Sequence, residues 1–370
     1  MSSSNRLSAI KLVIPVIIAL ISIAFINRAQ QVKTDPAKKE SFEVDSIFTI
    51  VSVSQSPVIT KGDPGTEDNK YGFEGGKALK FTDGYHIFTT EIVGDPIWTK
   101  TRLAHWKSED GKNWERLATL FESTGDFTGK DPRAALWSPM PTYHSKKQRW
   151  MLTYVAYRSK PQGPRNADGH IWLAASTETG ISGIGGPYKN QKIILEPGTE
   201  SDPWEGLMGT NSFYPFAVGS QWYAFYGSSP EVVGLAGSSN LEGTWMRKTE
   251  LNPVKRHIEN PVVTRLPDGR YVAFFDGCSK HRKIGYMISY DGLHWSKKIF
   301  LDLQEQTDPW WGLTRTPLGL IQESSDLFTL YFTAYNNDFY NIPGIWKRED
   351  DSVLDGYFAS VGMMKLKPVK

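Results

Sequence analysis

Glu74 and Glu259 each open a strand-like segment twelve residues ahead of an aromatic side chain, His86 in one case and Tyr271 in the other. Two carboxyl groups facing one another across a bound sugar can divide the work of glycosidic hydrolysis. One protonates the leaving oxygen and the other acts as base or nucleophile. The same spacing sets Ser138 before Trp150 and Asn211 before Tyr223, and a looser fifth set places Thr316 or Arg315 before Phe328 and Tyr331. These polar residues are expected to converge, with Glu74 as base or nucleophile and Glu259 as acid. The plainer reading of either glutamate is a carboxylate bonded to backbone amides or to an arginine. Asn211 and Arg315 suit hydroxyl or carboxylate recognition, and Arg133 with Arg315 would suit an acidic sugar.

A second group of residues is built on Asp-Pro steps: Gly94-Asp-Pro-Ile-Trp98, Lys130-Asp-Pro-Arg133, Ser201-Asp-Pro-Trp-Glu-Gly-Leu207 and Thr307-Asp-Pro-Trp-Trp-Gly-Leu313. Asp-Pro commonly starts a turn, which accounts for the aspartates, although Asp131 is placed to tune a neighbouring carboxyl. Trp204, Trp310 and Trp311 are expected to enter inner strands on the side where a sugar ring would stack. His105, His144 and His257 are isolated and no His-Glu-x-x-His spacing occurs, so no catalytic metal or cofactor is expected. A structural cation in an axial channel stays open. Cys278, the single cysteine, ends an apolar segment and reads as a buried structural thiol.

The elements that would hold these side chains repeat. Ser108-Glu-Asp-Gly-Lys-Asn-Trp114, Ser289-Tyr-Asp-Gly-Leu-His-Trp295 and, more loosely, Ser239-Asn-Leu-Glu-Gly-Thr-Trp245 each follow a short apolar strand. Asp-Gly supplies a tight turn with positive φ, and the tryptophan then covers a neighbouring sheet. Ile171–Ser176 and Phe358–Gly362 resemble the same strand in two further units. Five repeats of polar anchor, strand, turn, aromatic strand, third strand and turn predict an all-β five-bladed propeller of four-stranded antiparallel blades. The blades are expected near 72–122, 134–196, 207–252, 257–303 and 312–369. Ile47–Val53 is placed to pair with the last blade and close the ring. No long helical periodicity follows residue 45.

This pattern resembles the five-bladed propeller glycoside hydrolases, the arabinanase and xylosidase group (family 43) and the invertase group (family 32). The likeness spans about residues 70–370. It is carried by the Ser-x-Asp-Gly-x-x-Trp turns, by Trp137-Ser-Pro139 before a Tyr-rich hairpin, and by Glu259-Asn-Pro261. The resemblance implies carboxylates at the starts of the innermost strands of blades 1, 2 and 3. Glu74 matches the first position in type, although the family usually has Asp there. Ser138 or its neighbours, and Asn211, depart at the second and third, while blade 4 carries Glu259. Glu205, the carboxylate nearest the third position, is an alternative acid, and Trp137 joins the candidate substrate-binding residues.

Composition agrees with sheets and frequent turns: 13 Trp, 16 Tyr, 18 Phe, 33 Gly and 22 Pro in 370 residues. A net charge of +2 with scattered Lys and Arg gives no basic stripe and no nucleic-acid partner. Arg6 and Lys11 precede an apolar run from Leu12 to Ile26, which reads as a signal peptide or N-terminal anchor over residues 1–27. A polar linker, 28–45, leads to the propeller, 46–370. The expected protein is exported to the periplasm or outside the cell, or anchored facing outward. It would be monomeric and touch membrane only through its N-terminus. The expected function is cleavage of a glycosidic bond in a poly- or oligosaccharide. The alternatives are a non-catalytic glycan-binding propeller and a protein-binding one with an apolar plug in its channel.

Overall fold

A computed structural model describes residues 41–162, 166–206, 208–228, 231–303, 310–336, 354 and 356–369. The expected export segment, 1–27, lies outside the described residues, as do Leu207 and residues 304–309. Among the described residues, no helix is long and apolar enough to cross a membrane. The helical elements among the described residues are one turn at Cys278–His281 and short 3-10 turns at Ser145–Lys147 and Ile181–Gly185.

Five antiparallel sheets follow one another along the chain, each laid down from its first strand outward. Their first strands are Phe73–Phe81, Ala135–His144, Asn211–Val218, Glu259–Arg265 and Leu313–Ser324. Each of these strands contacts the first strands of the blades on both sides, so the five form a ring around one axis. Blade 5 takes its outermost strand from the start of the domain: Phe48–Val53 pairs antiparallel with Ala359–Pro368, Phe48 standing opposite Pro368. Both the five-bladed propeller and the expected closing strand are therefore observed.

The repeated turns hold adjacent blades together. The Ser108 and Ser289 hydroxyls accept bonds from the N–H groups of Gly111 and Gly292, both at 2.8 Å. Asp110 and Asp291 accept from the two backbone amides that follow each glycine. The turn of blade 1 then docks on blade 5, where Tyr331 donates to the Gly111 carbonyl at 2.9 Å and meets Trp114 edge-on. The turn of blade 4 docks likewise on blade 3, with Trp295 packed between Phe216 and Phe225. Burial of such rings between sheets supplies much of the apolar contact that a propeller needs.

His105 is not isolated. Its Nε2 lies 2.9 Å from Nδ1 of His86 in the apolar layer between blades 1 and 2. Burial pushes its pKa down to about 3, so it is neutral there.

Candidate active site at the propeller axis

The first strands of blades 1 to 4 share a backbone device at the axis. Each begins with a β-bulge: between Glu74 and Gly76, Trp137 and Met140, Asn211 and Phe213, and Glu259 and Val262. In each, the residue after the anchor has positive φ: Gly75 at 51°, Ser138 at 53°, Ser212 at 54° and Asn260 at 51°. A bulge of this kind bends the strand and re-aims the preceding side chain. The glycine is required in blade 1, where a Cβ on residue 75 would meet Ser138 Oγ at 2.5 Å. This device corrects the expected register in blade 2. Trp137, not Ser138, is the counterpart of Glu74, Asn211 and Glu259.

Around the axis the anchors meet. Arg315 of blade 5 is 4% exposed at its side chain and faces three carboxyl groups. Its Nε donates to Glu74 Oε1 at 3.0 Å, its Nη1 lies 2.8 Å from Asp276 Oδ2, and its Nη2 lies 4.0 Å from Glu259 Oε2. Asn211 joins through Tyr157, whose hydroxyl donates to Asn211 Oδ1 at 2.6 Å. Tyr214 donates to Asn260 Oδ1 at 3.0 Å. The structure thus brings together Glu74, Asn211, Glu259 and Arg315 from four blades.

Asp276 was not singled out from the sequence. It ends the second strand of blade 4 and pairs in register with Glu259. A charged residue closing the otherwise apolar Tyr271–Phe275 run was the available signal.

The carboxyl groups differ in exposure. Glu259 is 26% exposed at its side chain, Glu74 is 8% and Asp276 is 1%. Burial pushes Glu259 up to about 7, opposed by Arg315 and reinforced by the neighbouring carboxylates. Burial pushes Asp276 up to about 6, again against the pull of Arg315. One guanidinium cannot neutralise three carboxylates, and carboxyl oxygens of Glu259 and Asp276 come within 4.8 Å of each other. A proton held on this pair near neutral pH is the electrostatic consequence.

Cys278 is fully buried beside them, its thiol pushed up by burial, as a structural cysteine would be. Glu259, Asp276 and Cys278 offer three ligand atoms to a small cation. Arg315 already supplies positive charge at Asp276, however, and the thiol keeps its proton.

The remaining sequence candidates lie elsewhere. Both oxygens of Glu205 are held by Arg247, at 2.6 and 2.9 Å, and Tyr226 also donates to it at 2.9 Å. These partners come from the outermost and second strands of blade 3, away from the inner ring. Asp131 sits in a loop, accepting from the Arg133 amide at 2.8 Å and from Thr124. Arg133 stacks over Phe121, Tyr154 and Trp172 between blades 1 and 2. Arg315 is committed to carboxylates, and Arg133 is half-buried against these three rings.

The Asp-Pro tryptophans pack on blade faces rather than lining the axis. A Cβ on Gly234 would meet Trp204 at 2.5 Å, and one on Gly362 would meet Trp310 at 2.1 Å. The missing side chains of these third-strand glycines make room for the rings. Trp310 also donates to the Ser54 carbonyl at 2.9 Å, and Trp311 is buried edge-on against it. Trp137 does lie at the ring, 8% exposed, with Nε1 donating to the Trp98 carbonyl at 3.2 Å.

No protein-family model and no curated protein matches the sequence. Solved structures do match the fold. A family 117 glycoside hydrolase of the marine bacterium Zobellia galactanivorans superposes with a TM-score of 0.59 at 12% identity, covering 87% of this chain and 90% of that one. The catalytic domain of a GH62 alpha-L-arabinofuranosidase from Coprinopsis cinerea gives 0.56 at 12% identity, covering 87% and 98%. The GH43_1 enzyme from Xanthomonas citri, complexed with xylotriose, gives 0.52 at 14% identity, covering 87% and 91%.

Proposed function

We propose that this chain, sharing the five-bladed fold of glycoside hydrolases, cleaves a glycosidic bond with Glu259 as proton donor. The observation that carries this reading is the state of Glu259. It is the most exposed of three clustered carboxyls, and its pKa of about 7 suits a group that must arrive protonated and leave ionised. Glu74 offers the second carboxylate, as base or nucleophile, positioned by Arg315. Asp276 lies too deep to touch a sugar and acts by raising the proton affinity of Glu259.

Asn211 accepts from Tyr157 through its oxygen, which leaves its amide N–H groups for a sugar hydroxyl. Three carboxyls around one arginine favour a neutral sugar over a uronate. The apolar run Leu12–Ile26 supports export of the propeller to where such polymers are met.

The test is release of reducing sugar from a panel of neutral plant, algal and microbial glycans. Wild type should release it, and Glu259→Gln and Glu74→Gln, folded by circular dichroism, should not. Full turnover in either variant removes that residue from the mechanism.

A second reading, glycan binding without turnover, draws on two observations. Glu74 is nearly covered beneath Arg315, and blades 2 and 3 present Trp137 and Asn211 rather than carboxylates. It predicts saturable binding of a glycan that wild type never cleaves.

A further inference from the structure

The ring of first strands encloses a second feature, farther along those strands than Glu74 and Glu259. A cavity of about 350 Å³ is lined by residues that follow the anchors: Lys77, Met140, Tyr214, Val262 and Leu318 among them. None of Glu74, Glu259, Asp276 or Arg315 borders it.

Its wall mixes polar surface with the aliphatic side chains of Met140, Val262, Leu318 and Ile321, and Lys77 stands in it as an amine with no acidic partner among the described residues. The one hydrogen bond of its Nζ runs to the Pro141 carbonyl at 3.0 Å. An ammonium has three donors, so two remain. The other lysine at this wall, Lys80, is already paired with Glu323 at 2.7 Å. Lys77 is half-buried, and burial pulls its pKa down to about 8 with no opposing charge, so the amine stays cationic at neutral pH. An ammonium with two donors to spare in a half-buried place gains from an anionic partner.

We propose that this cavity is a binding site for a small organic monocarboxylate. Its carboxylate would bond the Lys77 ammonium, and its hydrocarbon body would lie against Met140, Val262, Leu318 and Ile321. The lining selects this class by complementarity. A single amine, with neither an arginine fork nor a nest of backbone amides, matches one carboxylate better than a phosphate. The aliphatic side chains in the wall match a short alkyl or aromatic body. The volume admits a molecule the size of benzoate.

Calorimetric titration of the full chain with benzoate, butyrate and benzamide tests this. Benzoate should bind, and benzamide, of nearly the same shape but uncharged, should bind roughly ten- to a hundredfold more weakly, the value of a charge-assisted bond. Lys77→Met should reduce benzoate to the level of benzamide, while Lys77→Arg should retain part of the preference. The ligand comparison on wild type needs no variant and stands if Lys77→Met fails to fold. Equal binding of benzoate and benzamide, or no binding at millimolar benzoate, overturns the proposal. Glu259→Gln should bind benzoate as wild type does, so this result is independent of any glycan cleavage.

Discussion

Two clusters in this molecule contain the same residue types, with carboxylates, one arginine and a tyrosine in each, and they behave oppositely. In the loop before blade 3, Arg247 grips both oxygens of Glu205 and Tyr226 adds a third bond, with the glutamate side chain only 3% exposed. At the axis, Arg315 is shared among three carboxyls, and the outermost, Glu259, lies 4.0 Å from it and reaches solvent. A matched pair is closed, both sets of hydrogen-bonding capacity being used up. An unmatched cluster keeps a proton to give away. The ratio of acid to base, more than the presence of either, separates a brace from a reactive site.

The largest expected difference is in turnover. Glu259→Gln should lower the rate of glycan cleavage by about 10²–10⁴-fold, the usual contribution of a general acid. Glu205→Gln, provided it folds, should leave the rate within a few-fold of wild type in the same reducing-sugar assay. Comparable losses in both would erase the distinction between the clusters.

Next comes stability. Arg247→Met leaves a buried carboxylate without its cation and should cost about 3–5 kcal/mol in urea unfolding, with catalysis by the folded fraction unchanged. A loss near zero would show that the Glu205 cluster is no brace.

The pH profile sharpens the axis itself. Cleavage should decline as pH rises through about 7, where Glu259 loses its proton. Its folded pKa lies above the ordinary value of 4.5, so the folded state binds the extra proton. The stability from this group is full below 4.5 and is lost as pH rises through about 7. Unfolding of Glu259→Gln should lack that slope.

The smallest effect separates the axis from the blade interior. His105, held neutral with a pKa of about 3, binds its proton more readily unfolded. It should withdraw stability as pH falls below 6.5. Replacing it with Phe should flatten the acid limb of a thermal-melt series while leaving the limb set by Glu259.

The blades were legible because their signals are local. Ser, Asp, Gly and Trp within seven residues build the turns of blades 1 and 4, and the aromatic strand follows its anchor at a near-constant interval. The interval failed by one residue in blade 2, where the 3-10 turn at Ser145–Lys147 lengthens the hairpin. The convergence of Glu74, Asn211, Glu259 and Arg315 was legible for the same reason, since propeller symmetry turns equal spacing into proximity. The partners of each charge were not. Arg247 reaches Glu205 and Arg315 reaches Glu74 across long stretches of sequence, and no local pattern says which glutamate is claimed. Trp204 and Trp310 misled for the converse reason. Their seats are made by the absence of side chains at Gly234 and Gly362, residues that carry no chemistry to notice.

The joining of Phe48–Val53 to Ala359–Pro368 has a consequence for how the protein is made. The outermost strand of the last sheet is synthesised first, yet it has no edge to lie against until the final ten or so residues have left the ribosome. Phe48–Val53 must therefore wait, unpaired, while the rest of the propeller is made. Loss of either Phe48–Val53 or Ala359–Pro368 would leave an open strand edge of the kind that recruits a second molecule. These two strands are thus a single lock, and a change to one is felt at the other.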